Sequence, residues 1–129
     1  MSRKLSDLVS EMQEKARLFS DKMLEAGIRF LITRTRCTPE EQAELYAQGR
    51  TKPGPIVTWT LQSKHLLGEA FDIAILKDNK PVWDKKVDVN VNSIPDYEEA
   101  MIIGESVGLT AGGRWAHVDL PHYQLHKEA

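Results

Sequence analysis

The stretch Ser63–Asp72, SKHLLGEAFD, sets a histidine and an aspartate seven residues apart around a glycine, in an otherwise mostly apolar run. An imidazole and a carboxylate are side chains that ligate a divalent metal or move protons. The same pair also arises as a turn followed by an ordinary strand with a capped end, so spacing alone does not choose. Three neighbours favour ligation. Gly68 lets the backbone turn tightly between the two. Ala70 is small and permits close approach. Asp72 lies inside AFDIAI, where an unpaired carboxylate is costly to bury and a cation removes that cost.

A second stretch, WAHVDLPHYQL, lies near the C-terminus. Asp119 and His122 stand three apart across Pro121. Strand alternation would send them to opposite faces. Proline has no N–H and a fixed φ, so it breaks the alternation and can bring both into one site. Hydrolytic zinc sites take three protein ligands and keep a fourth position for water. His65, Asp72 and His122 would make such a set, with Asp119 left beside it as general base and acid.

Other residues compete for roles. Arg34 and Arg36 alternate in TRTR and share a face if that segment is extended. His117 precedes Asp119 by two and reads as a strand histidine with at most a secondary role. Trp115 either walls a cleft or fills the core, and Trp59 sits in a long loop where it can pack on a substrate. Arg50 and Lys52 flank that loop and read as solvated. His126 belongs to the polar tail. Cys37 has no histidine at a spacing that supports a thiol nucleophile.

These residues need elements to position them. Leu5, Leu8, Val9, Met12, Ala16, Phe19, Met23 and Leu24 recur at helical steps, which predicts an amphipathic helix over 5–26 ended by Gly27. IRFLIT (28–33) reads as a strand. TPEEQAELYAQG (38–49) reads as a helix, with Thr38 as N-cap, Pro39 in the first turn and Gly49 as stop. Residues 50–70 form a long connection, a length that is usually functional or mobile. FDIAIL (71–76) is a strand, KDNK a turn and PVWD (81–84) a possible hairpin partner. Residues 95–108 predict a helix, AGGRW a turn, and 116–125 a last strand interrupted or ended by Pro121. The pattern is α+β: a small, mainly antiparallel sheet with packed helices.

The 129 residues suit one domain with one core, 1–129. A net charge of −2 and the absence of a basic block argue against nucleic acid. The single cysteine excludes an internal disulfide and fits a reducing compartment. The charged N-terminus lacks the apolar segment of a signal peptide, and no apolar run approaches the roughly 20 residues of a membrane span. Synthesis in the cytosol without membrane insertion is the expectation.

SKHLLGEAFD resembles the Ser-x-His-x-x-Gly-x-Ala-x-Asp signature of the zinc peptidases that cut peptidoglycan stem peptides. These are the D-alanyl-D-alanine carboxypeptidases and dipeptidases and the L-alanyl-D-glutamate endopeptidases of phage endolysins. DLPHYQL is similar to that family's closing Asp/Glu-x-x-His motif. TRCTPEEQAELYAQGRTKPG is similar to the segment that, in the endopeptidase branch, carries an active-site arginine before its Pro-Glu-Glu-Gln helix. The resemblance implies Zn2+ held by His65, Asp72 and His122, with Asp119 as catalytic carboxylate. It implies Arg36 as the group that steadies the oxyanion or orients substrate, and Ser63 as a substrate hydrogen-bonding residue. Two departures stand out: Cys37 follows the arginine in place of Ser or Thr, and HYQ replaces His-Phe-Glu, which bears on how His122 is oriented.

The resulting expectation is a monomeric L-alanyl-D-glutamate endopeptidase of a phage or prophage endolysin. It is made in the host cytoplasm and reaches the cell wall once a separate protein permeabilises the membrane. The same ligands serve D-alanyl-D-alanine carboxypeptidases, and the EEQAELYAQGRTKPG segment favours the endopeptidase branch. From another class, a catalytically dead peptidoglycan-binding module would show a lost ligand or base, and none is lost.

Overall fold

Helix α1 runs Ser10–Glu25 and buries Met12, Ala16, Phe19 and Met23 along one stripe. The helical periodicity starts earlier, at Leu5, but the α-helix does not. Leu5–Asp7 form a 3-10 turn and Leu8 is extended. The tertiary partner decides this: the Val9 N–H donates to the Gly68 carbonyl at 3.0 Å, pinning the chain against the turn that follows His65. Gly68 has φ +69, and a Cβ there would lie 3.0 Å from the Asp7 carbonyl oxygen. Only glycine accepts both the left-handed conformation and the close neighbour.

The computed structural model describes residues 1–126. Strand β1 is Phe30–Arg34 and helix α2 is Pro39–Ala47. Thr38 caps α2 in a reciprocal box: its hydroxyl accepts from the Glu41 N–H at 3.1 Å, and the Glu41 carboxylate accepts from the Thr38 N–H at 2.9 Å. The long connection contains a 3-10 helix at Lys64–Leu67. Strands β2 (Ala70–Lys77) and β3 (Lys80–Val82) form a hairpin turned by Asp78 and Asn79, both at positive φ. Helix α3 (Asp96–Ser106) leads into β4 (Leu109–Ala111), a 3-10 turn at Gly112–Arg114, and β5 (His122–Leu125).

Among the described residues the strands form one five-stranded antiparallel sheet of order β1-β2-β5-β4, with β3 also on β2. The α+β architecture expected from the element pattern is present. Strand β2 alternates by face. Phe71, Ile73 and Ile75 enter the core under α1 and α3, where Phe19 meets the rings of Phe30, Phe71 and Tyr123 at centroid distances of 5.0–5.6 Å. Asp72 therefore faces away from that core, between the buried Ala70 and Ala74.

The last strand is shorter than the 116–125 expected. Residues before Pro121 form a loop, closed by the Asp119 N–H donating to the Gly112 carbonyl at 3.0 Å and the His122 N–H to the Asp119 carbonyl at 3.1 Å. Gly112 and Gly113 permit this approach: a Cβ on Gly112 would sit 2.5 Å from the Asp119 carbonyl oxygen. Strand β4, which falls between the helix expected to end at 108 and the turn expected from 111, forms because β5 offers it a pairing edge.

Candidate metal centre

Asp72 occupies the middle of the sheet, paired in register with Arg34 on β1 and His122 on β5. Register alone brings three functional side chains to one rung. His65 arrives from the 3-10 helix. Ser63 caps that helix, its hydroxyl accepting from the His65 N–H at 3.2 Å, and Gly68 ends it. The Cys37 N–H donates to the His65 carbonyl at 3.2 Å, fixing the helix to the segment after β1.

His65 Nε2 and His122 Nδ1 each lie 3.0 Å from Asp72 Oδ1, and the three ligating atoms fall within 4.8 Å of one another. The outer nitrogens are already committed. His65 Nδ1 faces the Thr35 carbonyl at 2.5 Å, and His122 Nε2 faces the Gln124 amide oxygen at 2.9 Å. Both partners are acceptors, so the N–H of each neutral ring points outward. Two nitrogen lone pairs then converge on a carboxylate oxygen. Such a contact is relieved by protonating both rings or by a cation in their midst, and the nearly full burial of both histidines disfavours two imidazoliums. The donor set of two imidazoles and a carboxylate suits a tetrahedral divalent ion with one open position. Thr35 and Gln124 supply the outer hydrogen bonds that fix ring orientation in such centres.

The electrostatics agree. Burial pushes Asp72 up, but the hydrogen bonds and charge that protonated His122 and His65 rings would give it outweigh this and hold the carboxyl below its ordinary range. Burial pushes His122 down, but the bond its protonated ring would make to Asp72 outweighs this and raises it. Both shifts express a demand for positive charge at this spot. Asp119 moves oppositely: burial, then repulsion from Asp72, raises it above 3.8. Its Oδ2 lies 3.9 Å from His122 Nδ1, and its side chain is half exposed at the mouth of the cluster.

The cluster floors a cleft of about 570 Å3 walled by Trp59, Trp115 and His117. His117 stacks on Trp59 with ring centroids 4.3 Å apart, so it joins the cleft wall rather than a solvent-facing strand. Trp115 also lines the cleft, 5.0 Å from the His122 ring. Ser63 lies on the cleft lining, with its hydroxyl engaged by the helix it caps.

Of the two arginines, Arg34 and not Arg36 is brought to the site. Arg34 Nη1 lies 3.8 Å from Asp72 Oδ2, and its Nη2 donates to the Gln42 amide oxygen at 2.5 Å. Gln42 in turn donates to the Thr60 carbonyl at 2.7 Å, which ties α2, the long loop and Arg34 together. Arg36 is exposed and absent from the cleft lining. Regular pairing of β1 ends at Arg34. Beyond it, the Thr35 N–H and the Arg36 carbonyl bond to Ser2, and Arg36 faces solvent. Cys37 is buried against Arg34 and away from the cleft. Sequence reading missed the Thr35 carbonyl and Gln42; a carbonyl leaves no side-chain signal, while Gln124 stood out only as a departure from the motif.

The family model described as D-alanyl-D-alanine carboxypeptidase matches residues 57–125, which include His65, Asp72, His122 and Asp119. The chain is 36% identical over 124 residues to the peptidoglycan L-alanyl-D-glutamate endopeptidase CwlK of Bacillus subtilis, covering 93% of this chain and 74% of that protein. Its fold is similar to the crystal structure of the Serratia marcescens L-Ala D-Glu endopeptidase ChiX. That match has a TM-score of 0.72 at 20% identity, over 95% of this chain and 83% of that one. On the family match and the identity to CwlK, the chain belongs to the M15 peptidase family.

Proposed function

We propose that the protein is a zinc-dependent endopeptidase that hydrolyses the L-alanyl-D-glutamate bond of peptidoglycan stem peptides. The observation that carries this is the convergence of His65 Nε2, Asp72 Oδ1 and His122 Nδ1 with their outer nitrogens already bonded, beside a free carboxylate in an open cleft. The choice of bond is supported by the name of the relative CwlK and by the EEQAELYAQGRTKPG segment. Zinc held by these residues would acidify a bound water and polarise a carbonyl oxygen.

The chain's own groups do the rest. Asp119, with Oδ2 3.9 Å from His122 Nδ1 at the mouth of the cluster, stands where it can take a proton from the attacking water and return it to the departing amine. Arg34, in place of Arg36, offers a fixed cation at the cleft floor for the developing oxyanion. One such donor contributes about 3–4 kcal/mol. Trp59, Trp115 and His117 give the stem peptide an apolar wall and exclude water.

Mass spectrometry of purified sacculi tests this, using wild-type protein and Asp119→Ala with and without chelator. New L-alanine C-termini and D-glutamate N-termini are expected only with metal and Asp119 present. Release of terminal D-alanine would place the activity in the carboxypeptidase branch. No cleavage by the metal-loaded protein would leave a binding module.

The biological setting we infer is a phage endolysin, monomeric and held in the host cytoplasm until lysis. No helix among the described residues is long and apolar enough to cross a membrane. Expression in a bacterial host should lyse it only when a membrane-permeabilising protein is co-expressed.

A further inference from the structure

Away from the cleft, residues 88–99 read DVNVNSIPDYEE. Asp88, Asn90 and Asn92 alternate, Ile94 and Asp96 follow at the next two odd steps, and Glu99 closes the segment. Counted from Asp88, oxygen donors fall at positions one, three, five, nine and twelve, with a main-chain carbonyl at seven. That is the donor spacing of a twelve-residue calcium loop. Such loops need a left-handed residue at position six. Ser93 occupies it with φ +71.

The folded loop places these groups together. Asp88 accepts the Asn92 N–H at 3.3 Å and the Ser93 N–H at 2.9 Å, curling the segment round its carboxylate. Glu99 reaches back from the first turns of α3 and accepts from the side-chain amides of Asn90 at 3.1 Å and Asn92 at 2.7 Å. Asp96 is the informative residue. It is fully buried, its Oδ2 accepts the Val89 N–H at 2.7 Å, and its Oδ1 has no hydrogen-bond partner. Burial raises its carboxyl, and the nearby charges of Asp88 and Glu99 add to that. Asn90 Oδ1 is likewise buried without a partner.

Among the described residues none of these three carboxylates is ion-paired. A buried carboxylate oxygen with no donor, in the neighbourhood of two more carboxylates, is costly unless a proton or a cation offsets the charge. The three carboxylates are less tightly drawn together than the His65, Asp72 and His122 atoms. Amide and main-chain oxygens complete the donor set. We propose that residues 88–99 form a binding site for a calcium ion, held by Asp88, Asn90, Asn92, Asp96 and Glu99 with the Ile94 carbonyl.

The chemistry selects the ion. All donors are oxygen, which excludes the nitrogen and sulfur preference of zinc. Six or more donors on a flexible loop suit calcium, whereas magnesium demands a tight octahedron and keeps its waters. The ion would clamp the loop to the start of α3. Through the Asn90 amide, which donates to the Ala26 carbonyl at 2.8 Å, it would also clamp the end of α1. The site shares no residue with the cleft, so it stands whether or not the proposed peptidase activity does.

The test uses the full chain with zinc already bound, titrated with CaCl2 by calorimetry and followed by thermal melting. Wild-type protein is expected to bind one calcium with a Kd on the order of 10 µM to 1 mM, and its Tm to rise with calcium concentration. Glu99→Gln and Asp88→Asn keep side-chain size and are expected to weaken binding about tenfold or more. Should either variant fold poorly, Tb3+ luminescence on the other, with calcium competition, reads the same site. No calcium-dependent heat or Tm shift in wild-type protein up to about 10 mM would overturn the proposal. So would an undiminished response in both variants, or an equal shift with MgCl2.

Discussion

Arg34 and Arg36 provide the sharpest test, because two residues of one type, two positions apart, are assigned opposite consequences. Arg34→Ala removes a cation whose Nη1 lies 3.8 Å from Asp72 Oδ2 and whose side chain is only 15% exposed. If it stabilises the oxyanion, its loss costs about 3–4 kcal/mol, or roughly 10²–10³-fold in kcat/KM. The loss should fall on kcat and kcat/KM alike, since the contact strengthens in the transition state. The same substitution removes the 2.5 Å donor to the buried Gln42 amide oxygen and leaves it only the Cys37 thiol at 3.6 Å, a net loss of about 1 kcal/mol of stability. Arg34→Lys separates the two effects. It keeps the charge but cannot span both Gln42 and the cleft, so it should recover part of kcat with incomplete recovery of Tm. Arg36→Ala removes an exposed side chain and should stay within about 0.5 kcal/mol in stability, with unchanged kinetics. The assay is release of L-alanine-terminated product from a defined muropeptide, with kcat and KM fitted separately and Tm measured on each sample. If Arg36→Ala loses activity a hundredfold while Arg34→Ala retains it, the assignment from the folded geometry is wrong.

Asp119→Asn should lower kcat/KM by about 10²–10⁴-fold. It should also abolish the acidic limb of the wild-type pH profile: a general base works ionised, so the wild-type rate should climb with pH as that carboxyl loses its proton. Gln124→Ala removes the acceptor for His122 Nε2–H and should weaken metal binding by about 10–100-fold, read by competition with a chelating dye. Gly68→Ala forces a Cβ into the left-handed region beside the Asp7 carbonyl and should cost about 1–2 kcal/mol in urea unfolding. Metal affinity should drop with it, because that turn anchors the His65 helix.

Features set by neighbours within a turn were readable from the residues themselves. Thr38, Pro39 and Glu41 specify the start of α2 through contacts no more than three positions apart, and the capping box is present. Gly68 signals a tight turn and makes one, ending the 3-10 helix at φ +69. The donor spacing from Asp88 to Glu99 is equally visible in the sequence, but only the fold buries Asp96 with an oxygen that lacks any donor. Other features depend on partners far along the chain. Leu5 and Leu8 have helical spacing, but the Gly68 carbonyl, far along the chain yet 3.0 Å from the Val9 nitrogen whose N–H it accepts, decides that the helix starts at Ser10. Strand β4 exists because β5 presents an edge to it.

The sequence by itself determined which residues ligate well: two histidines, an aspartate and a spare carboxylate, with glycine and proline where the chain must bend. Residue chemistry and local backbone freedom are properties of the chain that need no partner. Only the tertiary structure decided which arginine joins them and what holds the rings. Those outcomes follow from cross-strand register, which sets Arg34 and His122 on either side of Asp72, and from a backbone carbonyl at Thr35 that no side chain announces.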